Sequence, residues 1–349
     1  MSESEIKEDL EKIKEFEKNG IKIGKSLGKG KFGLVTEVFY KDKIFAGKLI
    51  KEERDSKECD LILQFKSPYI VKIIKIFNDG IYNFILMEKA LTDLKTFVDK
   101  NRENNIQKLI INPFYDGIIS DNLFKYFAKH LIIGLESLER IGYSHFDIKP
   151  GNILIFKNMI LKLSDFSFLR NQKEEAKYNM IKIPGGTDGF SPPEFYMKIY
   201  ATIENAKKHD YFSLGSTLYN LKYGKYLFIF PEDLYKNREE KKIEIVDYIY
   251  NSLERQMNLI KSSKLSDKDF INFLCSLIQF KPEDRPNFEE IYFNKWLNKD
   301  SKDISKICQI NESDNSKLFL ELNKSDFLIK KRNNLNKERK KFIFKKRRK

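Results

Sequence analysis

The residues best suited to chemistry stand close together between Tyr143 and Ile155. Within this stretch Asp147, Lys149 and Asn152 are two and three positions apart, directly before an aliphatic run. One loop can aim an acid at a hydroxyl proton, a lysine at a transferring phosphate and an amide oxygen at a metal ion. The spacing therefore favours phosphate chemistry.

A second stretch that could handle phosphate is the run containing Gly28, Gly30 and Gly33. Glycines let backbone N–H groups approach phosphate oxygens because no Cβ stands in the way. Dinucleotide-binding folds use the same G-x-G-x-x-G spacing, but they need a helix directly after the loop. Here the pattern predicts a strand on each side, the second over residues 36–40.

Lys48 stands on the strand that follows a turn at residues 41–43. In so lysine-rich a chain, a single lysine is by default a solvated side chain on an edge strand. Two features favour a phosphate-binding role instead. One is its distance from the glycine run, and the other is the small Ala46 two residues earlier, which leaves room for a ligand beside the strand.

Together these segments resemble the eukaryotic protein kinase family. Asp147 to Asn152 read D-x-K-P-x-N, which is similar to the catalytic loop of the serine/threonine branch, with H-F-D in place of H-R-D because Phe146 replaces an arginine. Further matches follow in the family's order over residues 21–297. They are the strand lysine Lys48, the gatekeeper and hinge Met87-Glu88-Lys89-Ala90, D-F-S at 165–167 in place of D-F-G, G-T-D-G-F-S-P-P-E at 186–194, D-Y-F-S-L-G at 210–215 and P-E-D-R-P at 282–286.

The resemblance implies the α+β, bilobal protein kinase fold, with the nucleotide between the lobes. The expected organisation is an N-terminal amphipathic helical extension at residues 1–20 and a kinase domain at 21–297, followed by a polar and then strongly basic tail at 298–349. Within the domain, the small lobe covers residues 21–90 as an antiparallel sheet with one helix. The larger, mainly helical lobe covers residues 91–297.

Several local elements are also expected. Apolar residues at helical spacing over residues 2–18 predict a helix packed on the back of the small lobe, rather than a partner-binding helix. Residues 99–119 are expected to form a polar loop, and Ser120 to cap a helix that runs to residue 141. The resemblance implies that Arg285 is the buried partner of Glu194.

The resemblance also implies a nucleotide site. ATP would lie under the glycine run, with its α and β phosphates held by Lys48, and Glu58 would fix Lys48. Glu52 and Glu53 are competing partners, but they fall too early in the same predicted helix. The residues implied to bind the nucleotide are Leu27, Gly28, Gly30, Phe32, Gly33, Val35, Ala46, Lys48, Glu58, Met87, Glu88, Ala90, Leu154 and Asp165.

The implied chemistry is transfer of the γ-phosphoryl group of ATP to protein serine or threonine hydroxyls. Asp147 would orient the hydroxyl and take its proton, Lys149 would offset charge on the phosphoryl group, and Thr187 would hydrogen-bond beside both. Asp165 and Asn152 would hold Mg²⁺, the expected cofactor alongside ATP.

Two departures from the family pattern carry expectations of their own. Ser167 replaces a glycine, and its Cβ restricts the backbone, so the D-F-S motif is expected to flip less easily. Phe146 carries no charge that an added phosphate would neutralise, and Tyr178 is the only hydroxyl residue between Leu169 and Gly186. These features predict a kinase that needs no phosphate on its activation segment.

Cysteine spacing and hydropathy indicate the cellular compartment. Cys59, Cys275 and Cys308 are widely scattered and show neither disulfide-framework nor zinc-site spacing. No signal peptide and no apolar run of membrane-spanning length are evident. The sequence predicts an intracellular protein of the cytoplasm, the nucleus or both, with no disulfide partner.

The net charge of +14 belongs mainly to the tail. Residues 330–349 contain twelve Lys or Arg and one acid, Glu338, which accounts for eleven of the fourteen net positive charges. The tail reads either as a solvated segment or as a signal for an acidic partner or a nuclear import receptor. The alternative to an active kinase is a pseudokinase scaffold that acts through protein binding and this tail. The strand lysine, the catalytic aspartate and the metal aspartate are all present, which favours activity.

Overall fold

The computed structural model describes residues 3–30, 33–51, 67–104, 119–171, 180–197, 200–237, 240–262 and 267–298. The chain divides into two units, Met1–Lys299 and Asp300–Lys349, and the described residues all belong to the first. Among them, no helix is both long enough and apolar enough to cross a membrane. Cys275 is buried and unbridged.

The first part of the chain forms an antiparallel sheet with the strand order β1-β2-β3-β5-β4. Its strands are β1 (Ile21–Gly30), β2 (Gly33–Tyr40), β3 (Lys43–Lys51), β4 (Ile73–Asn78) and β5 (Tyr82–Glu88), preceded by helix α1 (Glu3–Lys14). Pairing of β1 with β2 extends to Gly30 opposite Gly33. The glycine run therefore lies within the ends of a hairpin rather than in a separate loop.

One face of this sheet is covered by the N-terminal extension. Ile13 and Phe16 are buried against Leu34, Val38 and other core residues of the strands. Phe16 stacks on Phe84 with ring centroids 5.4 Å apart. Because side chains alternate between the faces of a strand, the opposite face of β2 and β3 remains available for a ligand.

Gly47 is needed for this packing. A Cβ at residue 47 would stand 2.2 Å from Phe84 Cζ and 2.7 Å from Val38 Cγ2. Glycine at this position of β3 therefore lets an aromatic ring fill the core.

The second part is mainly helical. Its strands are β6 (Thr92–Asp93), β7 (Tyr143–Ser144), β8 (Ile153–Ile155), β9 (Leu161–Leu163), β10 (Arg170–Asn171), β11 (Met180–Lys182) and β12 (Tyr200–Thr202). Its helices are α2 (Leu94–Asn104), α3 (Asp121–Arg140), α4 (Pro193–Tyr196), α5 (Ile203–Tyr223), α6 (Glu232–Lys236), α7 (Lys242–Ser262), α8 (Lys268–Leu277), α9 (Phe288–Tyr292) and α10 (Lys295–Asn298).

Helix α3 confirms the prediction made from Ser120. The Ser120 hydroxyl accepts a hydrogen bond from Leu123 N at 3.4 Å, and the helix ends at Arg140. Its apolar face is buried, and Gly142 (φ 85°) then turns the chain into β7. The helix therefore delivers the chain to the stretch that holds Asp147.

The prediction of a polar loop over residues 99–119 is wrong at its start, because residues 99–104 belong to helix α2. Asp93 begins this helix by accepting hydrogen bonds from Thr96 N at 2.9 Å and Thr96 Oγ1 at 2.7 Å. Phe97 and Val98 are buried and hold the helix against the core. Packing of these two residues outweighs the polar composition of the turn that follows. Residues 105–118 lie outside the described part.

Candidate active site

The stretch that carries Asp147 is anchored by a carboxylate on helix α5. Asp210, which is 4% exposed, accepts hydrogen bonds from His145 N at 2.7 Å and from Phe146 N at 2.8 Å. Phe146 adopts a left-handed backbone (φ 62°), a conformation that costs energy for a residue with a Cβ. The two bonds to Asp210 hold this turn in place and so present Asp147 to the cleft.

Burial also determines the protonation state of the neighbouring His145 imidazole. His145 is fully buried, and desolvation lowers its pKa, although Asp147 and the Ser164 carbonyl oppose this shift. Its Nε2 lies 3.0 Å from Ser164 O. A neutral ring that donates to this carbonyl ties the stretch to the chain after β9.

Four polar side chains converge beyond this turn. Asp147 Oδ2 accepts from Lys149 Nζ at 2.8 Å and from Asn152 Nδ2 at 2.7 Å, while Oδ1 accepts from Thr187 Oγ1 at 2.6 Å. Lys149 Nζ also donates to Thr187 Oγ1 at 2.7 Å. Both oxygens of the buried Asp147 are thus oriented by neighbours, which is the preorganisation that proton and phosphoryl transfer require.

Asp165 and Lys48 form the other half of the candidate site. Lys48 Nζ lies 2.7 Å from Asp165 Oδ1, although the two residues are 117 positions apart. Burial would raise the pKa of the Asp165 carboxyl, but the positive charge and hydrogen bond of Lys48, together with a bond from Ser167, outweigh it and lower the pKa. Asp165 is therefore an ionised carboxylate beside the lysine.

The donor set formed by Asn152 and Asp165 suits Mg²⁺. Asn152 O accepts from Ser164 N at 2.9 Å and from Ser164 Oγ at 2.8 Å, which brings the residue before Asp165 against Asn152. The side chains of Asn152 and Asp165 both offer oxygen atoms. Mg²⁺ typically uses one or two protein oxygens together with substrate phosphates. No group of three His, Cys, Asp or Glu side chains able to hold a metal occurs among the described residues. The pair thus fits a cation that is shared with a nucleotide.

The structure shows the D-F-S motif in one conformation, so the expected difficulty of flipping it stays a prediction. The positive φ (59°) falls on Asp165, and Ser167 lies in a 3₁₀ turn, Phe166–Phe168. The Cβ of Ser167 therefore causes no backbone strain in this conformation. Its hydroxyl instead donates to Asp165 Oδ1 at 2.6 Å.

The strand register groups four of the predicted nucleotide residues. Val35 pairs with Lys48, and Ala46 pairs with Met87. Since Ala46 and Lys48 are two apart on β3, all four side chains share one face of the sheet. This is the face opposite to that covered by helix α1.

The remaining predicted nucleotide residues are placed less uniformly. Gly28, Gly30 and Gly33 lie at the β1–β2 hairpin, Leu27 is 40% exposed on β1, and Leu154 is half-buried on β8. Ala90, also half-buried, follows β5. Phe32 and Glu58 lie outside the described residues, as do the competing Glu52 and Glu53.

The hinge residue Glu88 has contacts that the sequence did not predict. Its Oε1 accepts from Lys72 N at 2.7 Å and from Lys162 Nζ at 2.6 Å. The Lys162 bond ties the end of β5 to β9 of the helical part, and the Lys72 bond ties it to the residue before β4. The residues next to Glu88 in the sequence give no signal for partners that are 16 and 74 positions away.

A buried ion pair anchors the segment that carries Thr187 at Glu194, seven positions further along the chain. Arg285 Nη1 and Nη2 lie 2.7 and 2.8 Å from the two carboxylate oxygens of Glu194, which confirms the predicted pair. Arg285 also donates to the carbonyls of Gln279, Phe280 and Lys208, so all five of its N–H groups have acceptors. A charge 2% exposed is tolerated because it is fully paired.

Phe146 lies in an apolar cluster that the sequence did not predict. Phe146, Ile181 and Ala206 are fully buried together, and Phe168, Ile183 and Ile203 pack around them. The cluster joins the stretch that carries Asp147, the D-F-S turn, strand β11 and helix α5. Hydrophobic contact thus holds β11, in the segment before Thr187, against the turn that presents Asp147.

Comparison with known proteins gives one consistent result. Residues 21–297 match the family model described as the protein kinase domain. The chain is 34% identical to serine/threonine-protein kinase CBK1 of Yarrowia lipolytica, over 41% of this chain and 24% of that protein. It is 25% identical to serine/threonine-protein kinase stk11 of Xenopus laevis, over 84% of this chain and 65% of that protein. It is also 25% identical to the Aurora kinase of Saccharomyces cerevisiae, over 82% of this chain and 72% of that protein.

Several relatives are much longer than the matched region. The chain covers 24% of the length of CBK1 and 14% of serine/threonine-protein kinase MRCK gamma of Homo sapiens. The match to the family model covers residues 21–297, which contain the candidate site.

Proposed function

The chain belongs to the protein kinase family, and from that premise we propose that it transfers the γ-phosphoryl group of ATP to serine and threonine hydroxyls of proteins. The observation that supports this most directly is the network in which Lys149, Asn152 and Thr187 all contact the Asp147 carboxylate. An oriented carboxylate beside a lysine matches what in-line transfer to a hydroxyl needs.

In the proposed mechanism Asp147 orients the substrate hydroxyl and accepts its proton. Lys149, 2.8 Å from Asp147 and 2.7 Å from Thr187, offsets the negative charge that develops on the transferring group. Thr187 keeps the acid and the lysine in register. None of these roles requires a rearrangement of the described residues, since the hydrogen bonds are already made.

The nucleotide side of the site is proposed to work through Lys48, Asp165 and Asn152. Lys48 holds the α and β phosphates, with Glu58 as its proposed further partner, and the glycine run covers them from above. Asp165 and Asn152 would hold Mg²⁺, which would supply positive charge that offsets the negative charge of the phosphates. The shared sheet face of Val35, Ala46 and Met87 receives the adenine ring.

The test is phosphate transfer by the purified chain in Mg²⁺ and ATP, with serine, threonine and tyrosine forms of one generic peptide. We expect transfer to the first two and none to the third. Asp147→Asn should reduce turnover by about 10² or more, because general-base and orienting contributions are of that order. Asp247→Asn, an exposed acid on helix α7, is the matched control and should act as wild type. No transfer by the wild-type chain would favour the scaffold alternative.

We also propose that activity does not depend on phosphorylation of the activation segment. The support is the apolar cluster around Phe146, which holds Ile181 without any charge that a phosphate would have to neutralise. In relatives with arginine at this position, an added phosphate pairs with that cation. Here burial of apolar surface holds the segment, in place of a pair between phosphate and arginine.

The basic tail is proposed to bind an acidic surface, either of a partner or of an import receptor. Residues 330–349 lie outside the described part, so the proposal depends on their charge alone. An import receptor would place the protein in the nucleus, whereas another acidic partner could hold it in either the cytoplasm or the nucleus.

A further inference from the structure

Two donors share one oxygen of Asp165. Lys48 Nζ lies 2.7 Å from Oδ1, and Ser167 Oγ lies 2.6 Å from the same atom. The Ser167 bond spans two residues across the left-handed Asp165 and the 3₁₀ turn that follows it. A glycine at position 167 could not make this bond.

The arrangement matters because Lys48 and a divalent cation would compete for the same carboxylate. An ammonium group has three N–H donors on a flexible stem and can engage both oxygens of a nearby acid. The side chains of Lys48 and Asp165 are 13% and 22% exposed, so the attraction between them is only weakly screened by solvent. A carboxylate held by Lys48 alone would be free to turn both oxygens toward it.

The Ser167 hydroxyl opposes that rotation. A hydrogen bond to a charged acceptor is short and directional, and this one fixes the Asp165 carboxylate relative to its own turn. In this arrangement Lys48 contacts Oδ1 of the carboxylate. The second oxygen, Oδ2, keeps its lone pairs for a metal ion.

We propose that Ser167 is a positioning residue that reserves Asp165 Oδ2 for the divalent cation and keeps Lys48 on Oδ1. The inference rests on the proposed function, since it concerns the metal of the phosphoryl-transfer site. Its consequence is a lower Mg²⁺ requirement than the same chain would show without the hydroxyl. Ser167 itself contacts neither nucleotide nor substrate in this account.

The test measures the binding of a non-hydrolysable ATP analogue as a function of Mg²⁺ concentration, without any turnover. In Ser167→Ala and Ser167→Gly we expect the half-saturating Mg²⁺ concentration to rise about ten-fold, the scale of one charge-assisted hydrogen bond. Ser167→Thr keeps the hydroxyl and should stay within about two-fold of wild type. Ser276→Ala removes a hydroxyl that bonds Phe273 O at 2.7 Å on helix α8, and serves as the control for loss of a serine.

Hydrogen exchange of the nucleotide-free protein gives a second readout. Amides of residues 165–169 should exchange faster in Ser167→Ala than in wild type, and those of helix α5 should not change. In kinetics, Ser167→Ala should regain wild-type kcat at high Mg²⁺, whereas a merely structural defect would not be rescued by the cation.

Equal half-saturating Mg²⁺ in wild type, Ser167→Ala and Ser167→Gly would overturn the inference, as would an equal loss in Ser167→Thr. Phosphate transfer by the wild type in the same preparation would then leave the proposed function standing. If the wild type transfers no phosphate but Ser167→Ala still needs more Mg²⁺ for nucleotide binding, the proposed function fails and the positioning role of Ser167 is retained.

Discussion

Phe146 lies edge-on against His209, with ring centroids 5.0 Å apart and an interplanar angle of 67°. Both side chains are fully buried, and desolvation lowers the pKa of His209 to about 3, so this imidazole is neutral at physiological pH. The contact joins the turn before Asp147 to helix α5. An uncharged aromatic pair thus occupies the place where the resemblance would put an arginine.

The first prediction concerns activation. Because the cluster around Phe146 is apolar, treatment with a broad phosphatase should leave turnover on a peptide unchanged, and Tyr178→Phe should do the same. Phe146→Arg should lower both activity and stability, since an unpaired buried cation costs about 3 kcal/mol or more. Steady-state kinetics and urea denaturation measure the two effects.

Phe146→Leu is the control for this prediction, because an apolar replacement of lower volume keeps the cluster uncharged. It should cost about 1 kcal/mol and keep most of the turnover. A large fall in activity after phosphatase treatment would show that a phosphate orders the segment after all.

The second prediction tests the metal assignment of Asp165. Asp165→Asn removes the negative charge while keeping the shape of the side chain, so transfer should fall below detection while the fold persists. Lys48→Met should act similarly by misplacing the phosphates. Circular dichroism reports whether the fold persists, and a transfer assay reports loss of activity. Wild-type turnover in Asp165→Asn would show that Asp165 is not the metal ligand.

The third prediction concerns the ion pair below Thr187. Glu194→Gln leaves Arg285 as a buried, half-paired cation and should reduce the free energy of unfolding by about 3–5 kcal/mol. Lys295→Met breaks a comparable pair with Asp269, 3.2 Å long but 77% exposed on the lysine side, and should cost less than about 1 kcal/mol. Equal destabilisation of the two variants in urea would contradict the role given to burial.

The fourth prediction concerns pH. Burial raises the pKa of Asp210 to about 7, although the amides of His145 and Phe146 oppose the shift. Below that pH a protonated carboxyl presents a hydroxyl to one of the two amides, so the catalytic turn is held less firmly. Turnover should therefore fall as pH decreases from about 8 to 6, with a midpoint near the Asp210 pKa.

Stability should change in the opposite direction. The pKa of Asp210 is higher in the folded state than the ordinary value of 3.8, so the folded protein binds the proton more tightly than the unfolded chain. The contribution of this group to the free energy of unfolding is therefore greatest at low pH and declines as pH rises toward 7. Asp210→Asn should have low activity and lack both dependences, and a pH profile identical to wild type would rule out Asp210 as the source.

The fifth prediction concerns the tail. Deletion of residues 330–349 removes eleven net positive charges and should leave transfer to a small peptide unchanged. Retention on an immobilised polyanion should fall, most clearly at low salt, because exposed charge acts through screened long-range attraction. Loss of peptide phosphorylation on deletion would show that the tail contributes to the active domain.

Local spacing was enough to predict that the side chains of Asp147, Lys149 and Asn152 converge. Asp147, Lys149 and Asn152 lie within six positions, and a short loop leaves few ways to arrange them other than around one point. Helix α3 was also predictable, because a capping serine and a regular apolar face act within the segment itself. The last part of helix α2, residues 99–104, was missed, since this polar turn follows Phe97 and Val98, which are buried, and Phe97 packs against Phe127, a residue distant in sequence.

The contacts between distant segments were decided by the tertiary structure. The sequence placed Asp210 in a motif, but its two bonds to the catalytic turn span 64 and 65 positions. The same holds for Lys48 with Asp165 and for the cluster of Phe146 with Ile181. The physical reason is that burial and backbone hydrogen bonds depend on which segments meet, and local residue order constrains that only weakly. The sequence determined which groups could do the chemistry, and the fold determined how each of them is held.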